Sequence, residues 1–85
     1  MAIILGQVVD SNNNPVGGAT IFFVSSPVNM PDIAQLTDSN GRFTIYVPVS
    51  GRYIIGSRSD KLGVVEAPIA VQAEKTFLKL KFKDE

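Results

Sequence analysis

Apolar and polar residues alternate with a period of two along most of this chain, and no stretch carries the three-to-four-residue spacing of an amphipathic helix. Val, Ile, Phe, Tyr and Thr fill the alternating runs, while Gly, Pro, Asn, Asp and Ser cluster between them about every ten positions. The pattern predicts seven short strands, at residues 3–9, 19–26, 33–37, 42–47, 52–57, 64–71 and 76–82. Pro68 falls inside the sixth, which is expected to be an edge strand or a broken one. This is the rhythm of an all-β sandwich.

The same alternation assigns faces. Phe43, Ile45 and Val47 share one side of their strand, opposite Arg42, Thr44 and Tyr46. Tyr53 and Ile55 follow inward after a turn, as do Ala19, Ile21 and Phe23 on one strand and Ile4, Gly6 and Val8 on another. In the last strand Leu78, Leu80 and Phe82 oppose Lys79, Lys81 and Lys83, and these lysines read as a solvated face that also blunts a sheet edge.

At 85 residues the chain is expected to be a single domain, residues 1–85, near the lower size limit for folding on one core. With 45% hydrophobic residues and no Cys, that core has to be held by packing. Eight basic and eight acidic residues cancel, and outside the C-terminal lysines there is no basic stripe, so no nucleic-acid partner is expected. The run from Ala2 to Leu5 is too short to span a bilayer, and no charged leader with a cleavage site precedes it. The sequence therefore leaves three readings of location open: a cytoplasmic protein, export by a non-classical route, or an excised domain.

The turns carry the most specific signal. Asp38-Ser39-Asn40-Gly41 reads as a tight hairpin turn, with Asn-Gly supplying positive φ and the Asp38 carboxylate accepting backbone N–H groups across it. Pro48 presets φ in the next turn, and Gly51 lets the chain reverse before Tyr53 enters the core. Gly18-Ala19 is expected to let the chain pass close to a neighbouring strand. Four groups of residues stand in order: Gly6, Val8, Asp10; Pro15, Val16, Gly18, Ala19, Ile21; Thr37, Asp38, Gly41, Phe43; and Pro48, Gly51, Tyr53. Together they resemble the carboxypeptidase regulatory-like family over about two-thirds of the chain. The resemblance implies a seven-stranded Greek-key β-sandwich, transthyretin-like (prealbumin-like), acting as an accessory module; it does not imply peptidase activity.

The chemistry available is narrow. Without His or Cys, most nucleophile–base pairs and transition-metal sites are excluded, and no cofactor is implied. Transthyretin-like hydrolases that act on a purine breakdown product use a His/Arg constellation with a C-terminal Tyr-Arg-Gly-Ser, and sandwich iron dioxygenases use His and Tyr ligands. This chain has neither set, and no enzymatic activity is expected. A Ser–Lys pair among Ser57, Ser59 and Lys61 would sit on one loop, a poor place to preorganise a dyad. Asp10, Asn12 and Asn14, and Asp38 with Asn40, offer oxygen ligands at alternate positions as calcium loops do. The first set lacks a closing Glu and the second is too short to wrap an ion, so turn chemistry accounts for both and no metal is assigned. An internal Lys–Asn isopeptide bond, found in some adhesin sandwiches, needs a lysine buried early in the chain, whereas every lysine here lies at position 61 or later.

What remains is surface. Ile3, Leu5 and Val9, then Phe22 and Val24, then Tyr46 and Ile54 all fall on outward positions yet are apolar. The expected interaction surface is one outer face anchored by Ile3, Leu5, Phe22, Val24, Tyr46 and Ile54, meeting a protein partner or a second copy. The expected function is a non-catalytic structural or protein–protein interaction module, an adaptor in a cell-surface or secretion apparatus. The alternative is a carbohydrate-binding accessory module using Phe22, Tyr46 and Phe77.

Overall fold

The computed structural model describes residues 2–29 and 35–83. Seven strands form: β1 (Ala2–Val9), β2 (Thr20–Ser25), β3 (Gln35–Leu36), β4 (Arg42–Val47), β5 (Gly51–Ser59), β6 (Gly63–Val71) and β7 (Lys75–Lys81). They make two sheets, one ordered β4-β1-β7 and the other β3-β2-β5-β6. All pairs are antiparallel except β1 with β7, which is parallel, and the chain crosses between the sheets after β1, β3, β4 and β6. The chain is an all-β sandwich in Greek-key order, with hairpins only within the second sheet. Part of the strand expected at 33–37 lies outside the described residues, and β3 covers Gln35 and Leu36.

The inward sets meet as the alternation requires. Ile4, Val8, Ala19, Ile21, Phe43, Ile45, Val47, Tyr53, Ile55, Val71, Leu80 and Phe82 are buried in one core, with Phe23 and Leu78 packed against it. Each fully buried aliphatic or aromatic side chain contributes on the order of 1.5–3 kcal/mol relative to exposure. Tyr53 stacks at a tilt on Phe23, ring centroids 5.8 Å apart, and its hydroxyl donates to the Val49 carbonyl at 2.7 Å. A phenol this deep needs that partner. Gly6 is inward but bare because the Phe43 ring lies over its Cα.

Three expectations about turns change. Asp38–Gly41 is not a hairpin: it carries the chain from β3 in one sheet to β4 in the other. Only Gly41 has positive φ (72°), while Asn40 stays in the ordinary region. The Gly41 N–H donates to the Asp38 carbonyl at 2.9 Å, and a Cβ on Gly41 would strike the carbonyl of Val8 and, at 2.9 Å, the amide nitrogen of Val16. Close approach near Gly18 belongs instead to Gly17, whose Cβ would lie 2.8 Å from the Asp38 carbonyl oxygen. Gly18 is open and is needed for its φ of 74°. Val9, outward by parity, is buried because Pro15 folds back to bridge it.

Thr37 closes this corner. Its hydroxyl is buried, donates to the Val16 carbonyl at 2.7 Å and accepts from the Ala19 N–H at 3.0 Å. Thr37→Val keeps the shape but strands both backbone groups, and unfolding in urea is expected to show a loss of about 1–3 kcal/mol. Ser57 is the converse case, fully buried on β5 with no hydrogen-bond partner for its hydroxyl. Ser57→Ala is expected to leave stability unchanged or raise it by about 1 kcal/mol in the same assay.

Candidate interaction face

The residues expected to form a single apolar surface divide between two opposite faces. Ile3, Leu5 and Tyr46 lie outside the β4-β1-β7 sheet. Phe22 and Ile54 lie outside the β3-β2-β5-β6 sheet, where the Phe22 ring covers Gly56. Val24 is also on that second sheet, at the register shift between Phe23 and Ser25, and is exposed. A sandwich buries the space between its sheets, so outward residues of strands in different sheets cannot share a surface. The sugar-binding aromatics separate for the same reason, Phe22 from Tyr46 and Phe77.

On the first sheet the register builds a compact array. Tyr46, Ile3 and Lys75 stand in one cross-strand row, Thr44, Leu5 and Phe77 in the next, and Arg42, Gln7 and Lys79 in the third. Tyr46 and Phe77 are 60% and 77% exposed, and both flank the half-buried Ile3 and Leu5. A groove of about 710 Å³ crosses this face, lined among others by Leu5, Gln7, Arg42, Thr44, Phe77 and Lys79. Leu5 and Phe77 supply its apolar lining, and Gln7, Thr44, Arg42, Lys79 and Asp38 its polar and charged lining. The sequence reading left Phe77 out of the interaction set. Its signal was there in "KTFLKLK", where it shares outward parity with Lys75 and Lys79.

The loops once weighed for metal or catalysis have other occupations. The Asp10 carboxylate accepts the N–H groups of Asn12 and Asn14, both at 2.9 Å, and Asp38 does the same for Asn40 at 2.8 Å and Arg42 at 2.9 Å. Asn13 takes positive φ (67°) inside the first loop. No group of three His, Cys, Asp or Glu side chains converges among the described residues. Ser57 faces the core and Lys61 faces solvent, so they cannot act as a pair. All five lysines are exposed. No helix long and apolar enough to cross a membrane occurs among the described residues.

The fold and this face define a small β-sandwich module. Compared with solved structures, the chain is similar to a variant of BcpA, the major pilin subunit of Bacillus cereus, with a TM-score of 0.72 and 15% identity. The match covers 99% of this chain and 30% of the pilin, so the chain spans less than a third of that protein's length. At this identity the likeness shows the β-sandwich fold alone. No protein-family model matches the chain, and no curated protein matches it either.

Hydrogen bonds from Asn14 and Asn12 hold the Asp10 carboxyl below the usual carboxylate range, with Lys81 adding a smaller attraction. A carboxylate whose pKa is depressed by folding adds stability above its unfolded pKa and loses it as pH falls through the folded value. Thermal melts of the wild type are therefore expected to drop on acidification below about pH 4, with a shallower drop for Asp10→Asn. Millimolar calcium is expected to leave the wild-type melting temperature unchanged, because both carboxylates already serve their own turns.

Proposed function

We propose that this chain is a non-catalytic interaction module that docks to a protein partner through the outer face of β4-β1-β7. The observation that carries this reading is the pairing of two largely exposed aromatics, Tyr46 and Phe77, with Ile3 and Leu5 on one sheet face. Isolated apolar residues on a surface are ordinary, but a contiguous patch of this kind marks an interface. The reading extends to a component of a larger assembly, an adaptor in a cell-surface or secretion apparatus. A sandwich like this one in a pilin subunit supports that extension. The motif residues Thr37, Asp38 and Gly41 also meet in one hydrogen-bonded corner. The same corner supports membership of the carboxypeptidase regulatory-like family.

A photo-crosslinking residue placed at Phe77 tests this in the native source. It is expected to trap one defined protein, or a second copy of the chain, while the same residue at Val64 on the opposite sheet traps none. Equal trapping from both positions, or none from Phe77, overturns the reading. Tyr46→Ser with Phe77→Ser is expected to abolish the crosslinked complex formed from a probe at Leu5 and to change stability by no more than about 1 kcal/mol.

A further inference from the structure

The four sheet edges are not equally protected. On β6, Pro68 removes a donor in mid-strand and Glu66 adds a charge. The β3 edge is two residues long among the described residues. On β4, the Gln35 side-chain carbonyl accepts the outward N–H of Thr44 at 3.1 Å and Arg42 exchanges bonds with Asp38, so most of that edge's donors are occupied. β7 runs seven residues with no proline, and among the described residues its only hydrogen-bonded strand neighbour is β1.

Which of its backbone groups are free follows from the ladder. The Glu74 carbonyl accepts from Ile3 and the Phe82 N–H donates to Val9, so even-numbered residues of this strand point their backbone groups at β1. Backbone groups alternate sides along a strand, and those of Lys75, Phe77, Lys79 and Lys81 therefore face away from the sheet. Lysines alone would be ordinary edge protection. An exposed phenylalanine in their midst is the opposite, an invitation to pairing.

We propose that the free edge of β7 accepts an added strand from a partner protein, extending the sheet beyond β7, and that this strand is acidic on its outer side and apolar on its inner side. This rests on the reading of the β4-β1-β7 face as an interface and extends it to the edge beside Phe77. Lys75, Lys79 and Lys81 would flank the outer side chains of the incoming strand, and opposite charges across strands stabilise pairing. Leu78 and Leu80 border its inner side, where apolar residues would extend the core. A second copy pairing β7 to β7 would set lysine against lysine, which disfavours self-association by this edge. Backbone bonds supply affinity in such additions, and the alternating side chains supply specificity.

The probe is a blocked seven-residue peptide of alternating Glu and Val, added to isotopically labelled wild-type protein and followed by amide NMR and hydrogen exchange. The expected result is slowing of exchange by about tenfold or more at Lys75, Phe77, Lys79 and Lys81, with the even-numbered amides unchanged. Binding is expected to weaken several-fold between about 0.05 and 0.5 M salt, and to vanish when Lys replaces Glu in the peptide. Lys79→Pro, which removes an outward donor and leaves the β1 ladder intact, is expected to lose the effect. Should that variant unfold, the wild-type exchange pattern decides alone. Shifts confined to Tyr46 and Leu5, with the four amides still exchanging fast, overturn strand addition and leave the face reading standing. No binding at millimolar peptide overturns it too, and the Phe77 crosslink then judges the face by itself.

Discussion

The sandwich depends on one corner, where residues 37–42 lock the two sheets together through hydrogen bonds of the backbone and of the Thr37 and Asp38 side chains. Thr37 ties down Val16, Gly18 and Ala19 at the entrance to β2, while the Gly41 carbonyl accepts from Val8 and extends the β1–β4 ladder. Val8 in turn accepts from Val16. Asp38 holds the turn between these two jobs by accepting from Asn40 and Arg42. A chain of 85 residues has little core to spare. Its crossing points therefore have to be held by bonds that a flexible loop would leave to water. Gly17 and Gly41 are glycines because two backbones run against each other at this point.

From that corner the two faces acquire different characters. Outside β3-β2-β5-β6, Phe22 lies over Gly56 and satisfies part of its own apolar surface within the sheet. Outside β4-β1-β7, Phe77 stands beside a leucine on a neighbouring strand and remains largely exposed. The difference is one of partners across the strand: a glycine offers a bed for a ring, and a branched side chain does not. The apolar face with free aromatics is also the one with an open edge, so backbone and side-chain recognition would operate on the same surface.

The strands and the core were legible because period-two alternation is a local property, dictated by the geometry of an extended backbone. Phe43, Ile45, Tyr53, Ile55, Leu80 and Phe82 all sit where parity puts them. Turn chemistry was legible in part. The Asx role of Asp38 follows from its own side-chain reach, but whether the turn joins neighbours or crosses between sheets depends on pairings far away in sequence. Val9 illustrates the same limit, since its burial comes from Pro15 and not from its own strand.

Sequence by itself thus determined an all-β chain, its inward residues and the hydrogen-bonding turns that punctuate it, because each of these rests on contacts a few residues long. Tertiary structure decided which outward residues become neighbours. Parity says only that a side chain leaves the core, and both sheets have an outside. The pairing of β1 with β4 and β7 placed Tyr46, Leu5 and Phe77 on one face and sent Phe22 and Ile54 to the other. It also left one edge of seven residues free, a property of strand order that no single strand records.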